Sequence, residues 1–224
     1  MTIKDLNYKE FLLRLLIYIF GLFILAIGVT FVINADLGIS PVNAPPLVLS
    51  FIIEPLTPGG SVALVLLVMI LLQWAILGKN FKLIQITQLI FSVVFGYFVD
   101  LTLLIFHSMT PYTYLGQATI LIAGIAIIAI GVAIYMEADI INLPSEAILM
   151  AVIARWPKHT FGKIKIWFDL SLVVIASGLS FAFLGGLYGI REGTVISALF
   201  IGKGIVWFKP YVIRIFIKIG MKKS

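Results

Sequence analysis

Two short stretches hold the residues best suited to chemistry. In "NADLGISPVN" (34–43), Asp36, Ser40, Pro41 and Asn43 follow an apolar run. In "EADIINLPSE" (137–146), Asp139, Asn142, Ser145 and Glu146 follow another. Ser40 and Pro41 make a helix start, an N-cap followed by proline at N1. Asn142 or Ser145 can cap a second start, with Pro144 near N1. Helix N-termini carry partial positive charge and free N–H donors, which suit an anionic or strongly polar group. Asp36 and Asp139 occupy matching places and have three candidate roles: binding substrate, binding a coupling cation, or capping the short helix. Glu146 falls in a first helical turn, where a carboxylate suits the dipole in any case. Glu137 stands where the first stretch has Asn34, so one asymmetric site is expected rather than two equal ones.

A second set of polar residues lies inside apolar runs. Lys203, in "FIGKGIVWF", is flanked by glycines, and Asp100 and Asp169 are the carboxylates placed to pair with it. Charges inside membrane spans are costly and are usually paired or functional. Lys203 therefore reads either as a structural or snorkelling lysine, or as the counter-ion of an anionic substrate. Gln73, Gln85 and Gln88 can line a polar path or hydrogen-bond between helices. No histidine or carboxylate cluster has metal-ligand spacing, and no phosphate loop or nucleophile–base pair is present. Neither a metal nor a cofactor is expected, and an enzyme is the reading with least support. Cysteine is absent, and His107 and His159 both fall in expected loops.

The surroundings of these residues are lipid-soluble. Of 224 residues, 62% are hydrophobic and 12% charged, with a mean hydropathy of +1.16. Soluble chains carry roughly twice that share of charge. The long apolar segments are 13–34, 61–78, 83–106, 117–136, 164–184 and 193–213. Each is long enough for a bilayer core of about 30 Å. Two shorter segments, 42–53 and 145–154, follow the two breaks and reach only about 18 Å as helices. The expected fold is all-α: six transmembrane helices plus two short re-entrant or half helices in one membrane domain, 1–224. The net charge of +6 lies beside the spans, where it sets orientation and does not imply nucleic acid. The first apolar run lacks a small-residue cleavage site and is taken as a retained span.

The chain also repeats itself. At an offset of 103 residues, Ala26-Ile27-Gly28-Val29 matches Ala129-Ile130-Gly131-Val132. Ala35-Asp36, Pro41 and Ala44 match Ala138-Asp139, Pro144 and Ala147, and at offset 106 Gly96 matches Gly202. The repeats run from about 11 to 106 and from 115 to 213. Matched loops have opposite positive-charge bias: "EPLTPGG" has none and "GKNFK" two, whereas "ARWPKHTFGKIK" has four and "GGLYGIRE" one. That pattern favours an inverted six-span topology, with both termini, Lys4 and the 211–224 tail cytoplasmic. A parallel eight-span topology, in which the short segments also cross, fails just at Lys79 and Lys82. Arg214, Lys218 and Lys222 form a stripe suited to anionic lipid at the cell membrane. Gly21, Gly28, Gly124 and Gly131 recur at seven-residue spacing and predict close packing of the first helix of each half.

These motifs resemble the YczE/YyaS/YitT family of bacterial membrane proteins. The resemblance lies in Ala35, Leu37, Gly38 and Pro41, and later in Gly193, Thr194 and Gly202. The second half departs from it, with Ile140-Ile141-Asn142 in place of Leu-Gly. The resemblance implies a cytoplasmic-membrane protein that moves small metabolites, and supplies no substrate.

Matched breaks in inverted halves are a pointer to a transporter's central site. The leading expectation is a secondary transporter of a small polar or anionic metabolite. Its substrate would sit at the midplane between the short-helix starts, with Lys203 and Asp100 or Asp169 nearby. Two alternatives remain. One is a passive channel on the aquaporin plan, which lacks the paired Asn-Pro-Ala starts here. The other is a regulatory or scaffolding membrane protein whose buried charges only pair with each other.

Overall fold

The computed structural model describes residues 8–109, 111–158, 161–219 and 221. Lys4, His159 and Lys222 lie outside them. Eight α-helices follow in order: α1 Tyr8–Asn34, α2 Ala44–Ile52, α3 Pro58–Leu77, α4 Thr87–Ile105, α5 Tyr114–Ala138, α6 Pro144–Arg155, α7 Phe161–Leu184 and α8 Glu192–Lys218. Six are long and apolar enough to cross a bilayer. This is a multi-pass membrane protein. With 9 and 12 residues, α2 and α6 extend about 14 and 18 Å, too short to cross. The order long, short, long, long therefore occurs twice.

Glycine determines the central contact. A Cβ on Gly21 would meet the backbone of Tyr135, one on Gly28 that of Ile128, and one on Gly131 that of Leu25. Partner numbers fall as the first numbers rise, so α1 and α5 run antiparallel with their backbones nearly touching. The expected glycine seam is present. Around it, the side chains of Tyr18, Leu22 and Val29 from α1 are buried with Leu121, Ile128 and Tyr135 from α5. Edge-on contacts of Tyr18 with Phe91 and Tyr135 fix its ring.

The remaining helices pack in related pairs. α4 lies on α1 and α8 on α5, while α2 contacts α7 and α6 contacts α3. One pairing breaks the pattern. α3 lies along α4, with the backbones of Gly59 and Gly96 in contact. α7 and α8, their counterparts, lack that extended contact.

The first break is a short excursion. Asp36 takes a left-handed conformation (φ 52°) that ends α1, and Asp139 does the same (φ 53°) after α5. Ile39 then donates its N–H to the Gly189 carbonyl at 3.0 Å. Leu47, eight residues later, packs against the same glycine. The chain between them dips inward, turns at Pro41–Asn43 and climbs out as α2. Helix α2 thus starts at Ala44 with Asn43 in the N-cap place, three residues later than Ser40–Pro41 suggested. In the second half the N-cap residue is Leu143, so neither Asn142 nor Ser145 caps α6. Proline in the first turn takes over in both, by removing a donor that needs no partner.

Candidate functional site

Both short helices begin at one cavity. It has a volume of about 80 Å³, room for a few water molecules or a very small solute, and every one of the eight helices contributes to its wall. Part of the lining falls into pairs related by the sequence repeat. Leu25 and Val29 of α1 answer Ile128 and Val132 of α5, and Asn43 answers Glu146. Val62 and Leu66 of α3 answer Lys165 and Asp169 of α7 at the same offset of 103. The paired positions therefore differ in charge, with the carboxylates and the lysine all on the second half.

The polar groups are organised locally. Asn43 Nδ2 donates to Ser40 Oγ at 2.8 Å, and the Ser145 hydroxyl donates to Glu146 Oε2 at 2.8 Å. Lys165 Nζ donates to both carboxylate oxygens of Asp169 at 2.9 Å, one helical turn apart. Ser197 of α8 is fully buried, lines the same cavity and has no hydrogen-bond partner at its Oγ. The hydroxyls of Tyr18 and Tyr135 are also buried without a completed hydrogen bond. The Glu146 carboxylate is close enough to act on both electrostatically.

The structure brings together Ser40, Pro41, Asn43, Ser145, Glu146 and Asp169 from the residues singled out in the sequence. The others lie elsewhere. Asp36 is solvent-exposed: Arg191 Nη1 donates to its carbonyl oxygen at 2.6 Å and sits 3.9 Å from its carboxylate. Asp139 and Asn142 line a separate recess of about 280 Å³ with Gln85 and Gln88. Lys203 is the largest correction. It projects outward in a groove between α5 and α8, over the Phe200 ring at 5.5 Å. Neither Asp100 nor Asp169 pairs with it. Asp100 instead receives the Thr57 hydroxyl at 2.6 Å and the Gly59 N–H at 2.7 Å, holding the start of α3. Asp169 belongs to Lys165. A span residue faces inward or outward according to its helical phase, and Lys203 is on the outward stripe.

Lys165, Ser197, Tyr18 and Tyr135 were not anticipated. Lys165 was counted with the loop charges, yet lysine and aspartate four apart in an apolar run do signal a pair on one helix face. A lone serine or tyrosine within a span carries no such signal.

The sequence matches a family over residues 12–210, nearly the whole chain. The chain belongs to the DUF6198 family. That family is described as one of unknown function. No curated protein and no solved structure matches the chain. The DUF6198 match takes in both breaks and every cavity-lining residue named above, so the site lies inside the family's own fold.

Proposed function

We propose that the protein is a secondary transporter of a small polar solute, which binds in the cavity between the starts of α2 and α6. One observation carries this reading. Two short helices from equivalent places in the two halves open on the same cavity, whose mostly apolar wall carries Ser40, Asn43, Ser145, Glu146, Lys165, Asp169 and Ser197. Irregular backbone within a membrane is tolerated where it borders protein or a hydrated cavity. Helix ends meeting there are the arrangement transporters use for solutes and ions.

The antiparallel course of α1 and α5 supports treating the halves as an inverted repeat. Alternate opening of the cavity to either face would then follow from rocking one half against the other. Positive charge favours cytoplasmic termini. The likeness to the YczE/YyaS/YitT motifs agrees with a metabolite carrier in the cell membrane. Lys203 has no part in the site.

Gradient-driven accumulation of solute in proteoliposomes tests the reading, with and without an imposed proton gradient. Equilibration without accumulation would indicate a channel instead, and no flux of any solute would end both. Topology is tested by labelling Thr57→Cys and Asn80→Cys in the cysteine-free chain. The expected result is labelling of 57 from outside and of 80 from inside.

A further inference from the structure

We propose that the cavity recognises its solute by a protonated amine, with Glu146 as the counter-charge. The substrate class is then a small amine or amino-bearing zwitterion, not a simple anion. This rests on the cavity being the solute site. Charge is the first ground. Among the described residues, three ionisable acid or base side chains line the cavity: Glu146, Lys165 and Asp169. Lys165 and Asp169 neutralise each other. Among the described residues, Glu146 has no lysine or arginine within ion-pair distance.

A carboxylate in such surroundings needs compensation. The start of α6 and the Ser145 hydroxyl at 2.8 Å supply part of it, neither bringing a full positive charge. The equivalent start of α2, however, uses the neutral Asn43 bonded to Ser40. A short helix in this fold therefore begins without a carboxylate, and the dipole alone does not account for Glu146.

Ser197 is the independent second ground. Its Oγ lies in the cavity wall, fully buried and unpartnered. Buried polar groups are nearly always satisfied, so an unpartnered hydroxyl in a cavity wall is suited to a polar ligand group there. An ammonium group has three donors and no acceptor. Carboxylate and hydroxyl oxygens are what it requires, while Val29, Phe95 and Ile128 suit a short carbon skeleton. An anion there would face Glu146 at low dielectric, where like charges repel strongly.

The test uses the full-length protein and three probes of similar size: methylammonium, glycine and acetate. Binding is measured calorimetrically in detergent and uptake in liposomes. The expected result is binding of methylammonium or glycine and none of acetate. Glu146→Gln should lose about tenfold or more in affinity, as for a charge-assisted contact, and Glu146→Asp should retain part of it. Thermal unfolding and elution check that the variants are folded. If Glu146→Gln does not fold, competition in the wild type decides: methylammonium displaces glycine and acetate does not. Acetate binding unchanged by Glu146→Gln, or no binding of either amine, overturns the proposal. The transporter reading fails separately. Amine binding without flux would end it and leave the amine site, whereas acetate accumulation indifferent to Glu146 would do the opposite.

Discussion

The backbones of Gly28 and Gly124 meet so closely that a Cβ on either would stand 3.0 Å from the other's carbonyl oxygen. Moving each residue to its equivalent in the other half gives Gly131 and Gly21, and a Cβ on Gly131 also stands 3.0 Å from the Gly21 oxygen. One contact thus occurs twice in the seam between α1 and α5. The seam fixes the spacing of the helices that carry Leu25, Val29, Ile128 and Val132 to the cavity. Side chains at either contact must push the two backbones apart.

Gly28→Val and Gly131→Val should therefore each lower stability by about 1–3 kcal/mol or more, as overpacking does. Gly178 in α7 has open space around its Cβ position. Gly178→Ala should be neutral or stabilising by up to about 1 kcal/mol, because alanine suits a helix interior better. Thermal unfolding in one detergent compares the three. Equal behaviour of Gly28→Val and Gly178→Ala would contradict the seam.

The spans, the glycine seam and the two breaks were legible in the sequence because each rests on a local pattern. Length and hydropathy mark a span, seven-residue glycine spacing marks a close helix face, and an aspartate followed by a proline-bearing polar stretch marks each helix end. What the breaks bring together was legible in part, since Ser40, Asn43, Ser145 and Glu146 adjoin them. The fates of Asp36 and Lys203 were not. Asp36 lies beside the same break but turns outward, because a residue closing a helix in the left-handed conformation sits at its rim. Lys203 depends on the rotation of α8 about its axis, and an outward lysine reads in sequence like an inward one. Lys165 and Ser197 become visible as site residues only when α7 and α8 are placed around the cavity.

At the first break, side-chain charge should matter less than backbone shape. The Arg191–Asp36 ion pair is exposed and 3.9 Å long, a kind that contributes about 0–1 kcal/mol. Gly38 adopts φ +94°, and a Cβ there would lie 2.5 Å from the Arg191 nitrogen. Asp36→Asn should change stability by less than about 0.5 kcal/mol. Gly38→Ala should cost more than about 1 kcal/mol from strain and crowding together. Side-by-side melting curves check the order, and reversal would mean that charge holds the break.

Lys203 should be dispensable. Its side chain is exposed on the outward face of α8, with the ammonium over the Phe200 ring, and a lysine at the centre of a span costs about 2.5–3.5 kcal/mol on insertion scales. Lys203→Leu is expected to insert at least as well, to melt no lower, and to leave solute binding within about twofold, under 0.5 kcal/mol. Expression in membranes, thermal unfolding and the binding measurement each read one of these outcomes. A loss of binding in a folded Lys203→Leu protein would place that lysine back in the mechanism.

The Lys165–Asp169 pair allows function and folding to be separated, because the first half shows what the same positions look like without charge. Val62 and Leu66 occupy the equivalent places on α3 and line the same cavity. Asp169 is buried and held by Lys165 through both oxygens. Asp169→Leu alone would strand the lysine, and because the Lys165 side chain is 28% exposed the cost is expected below the ~3–5 kcal/mol of a fully buried pair. The double change Lys165→Val with Asp169→Leu copies the first half and removes both charges. Replacing a buried pair by apolar residues of suitable volume is often neutral or stabilising by about 1–4 kcal/mol. The double variant should then fold better than the single one and still lose solute uptake, since its cavity has lost a charged wall. Unfolding midpoints rank the stabilities, and proteoliposome uptake reads the function. If the double variant transports like the wild type, the pair only holds α7 together and the polar wall is narrower than proposed.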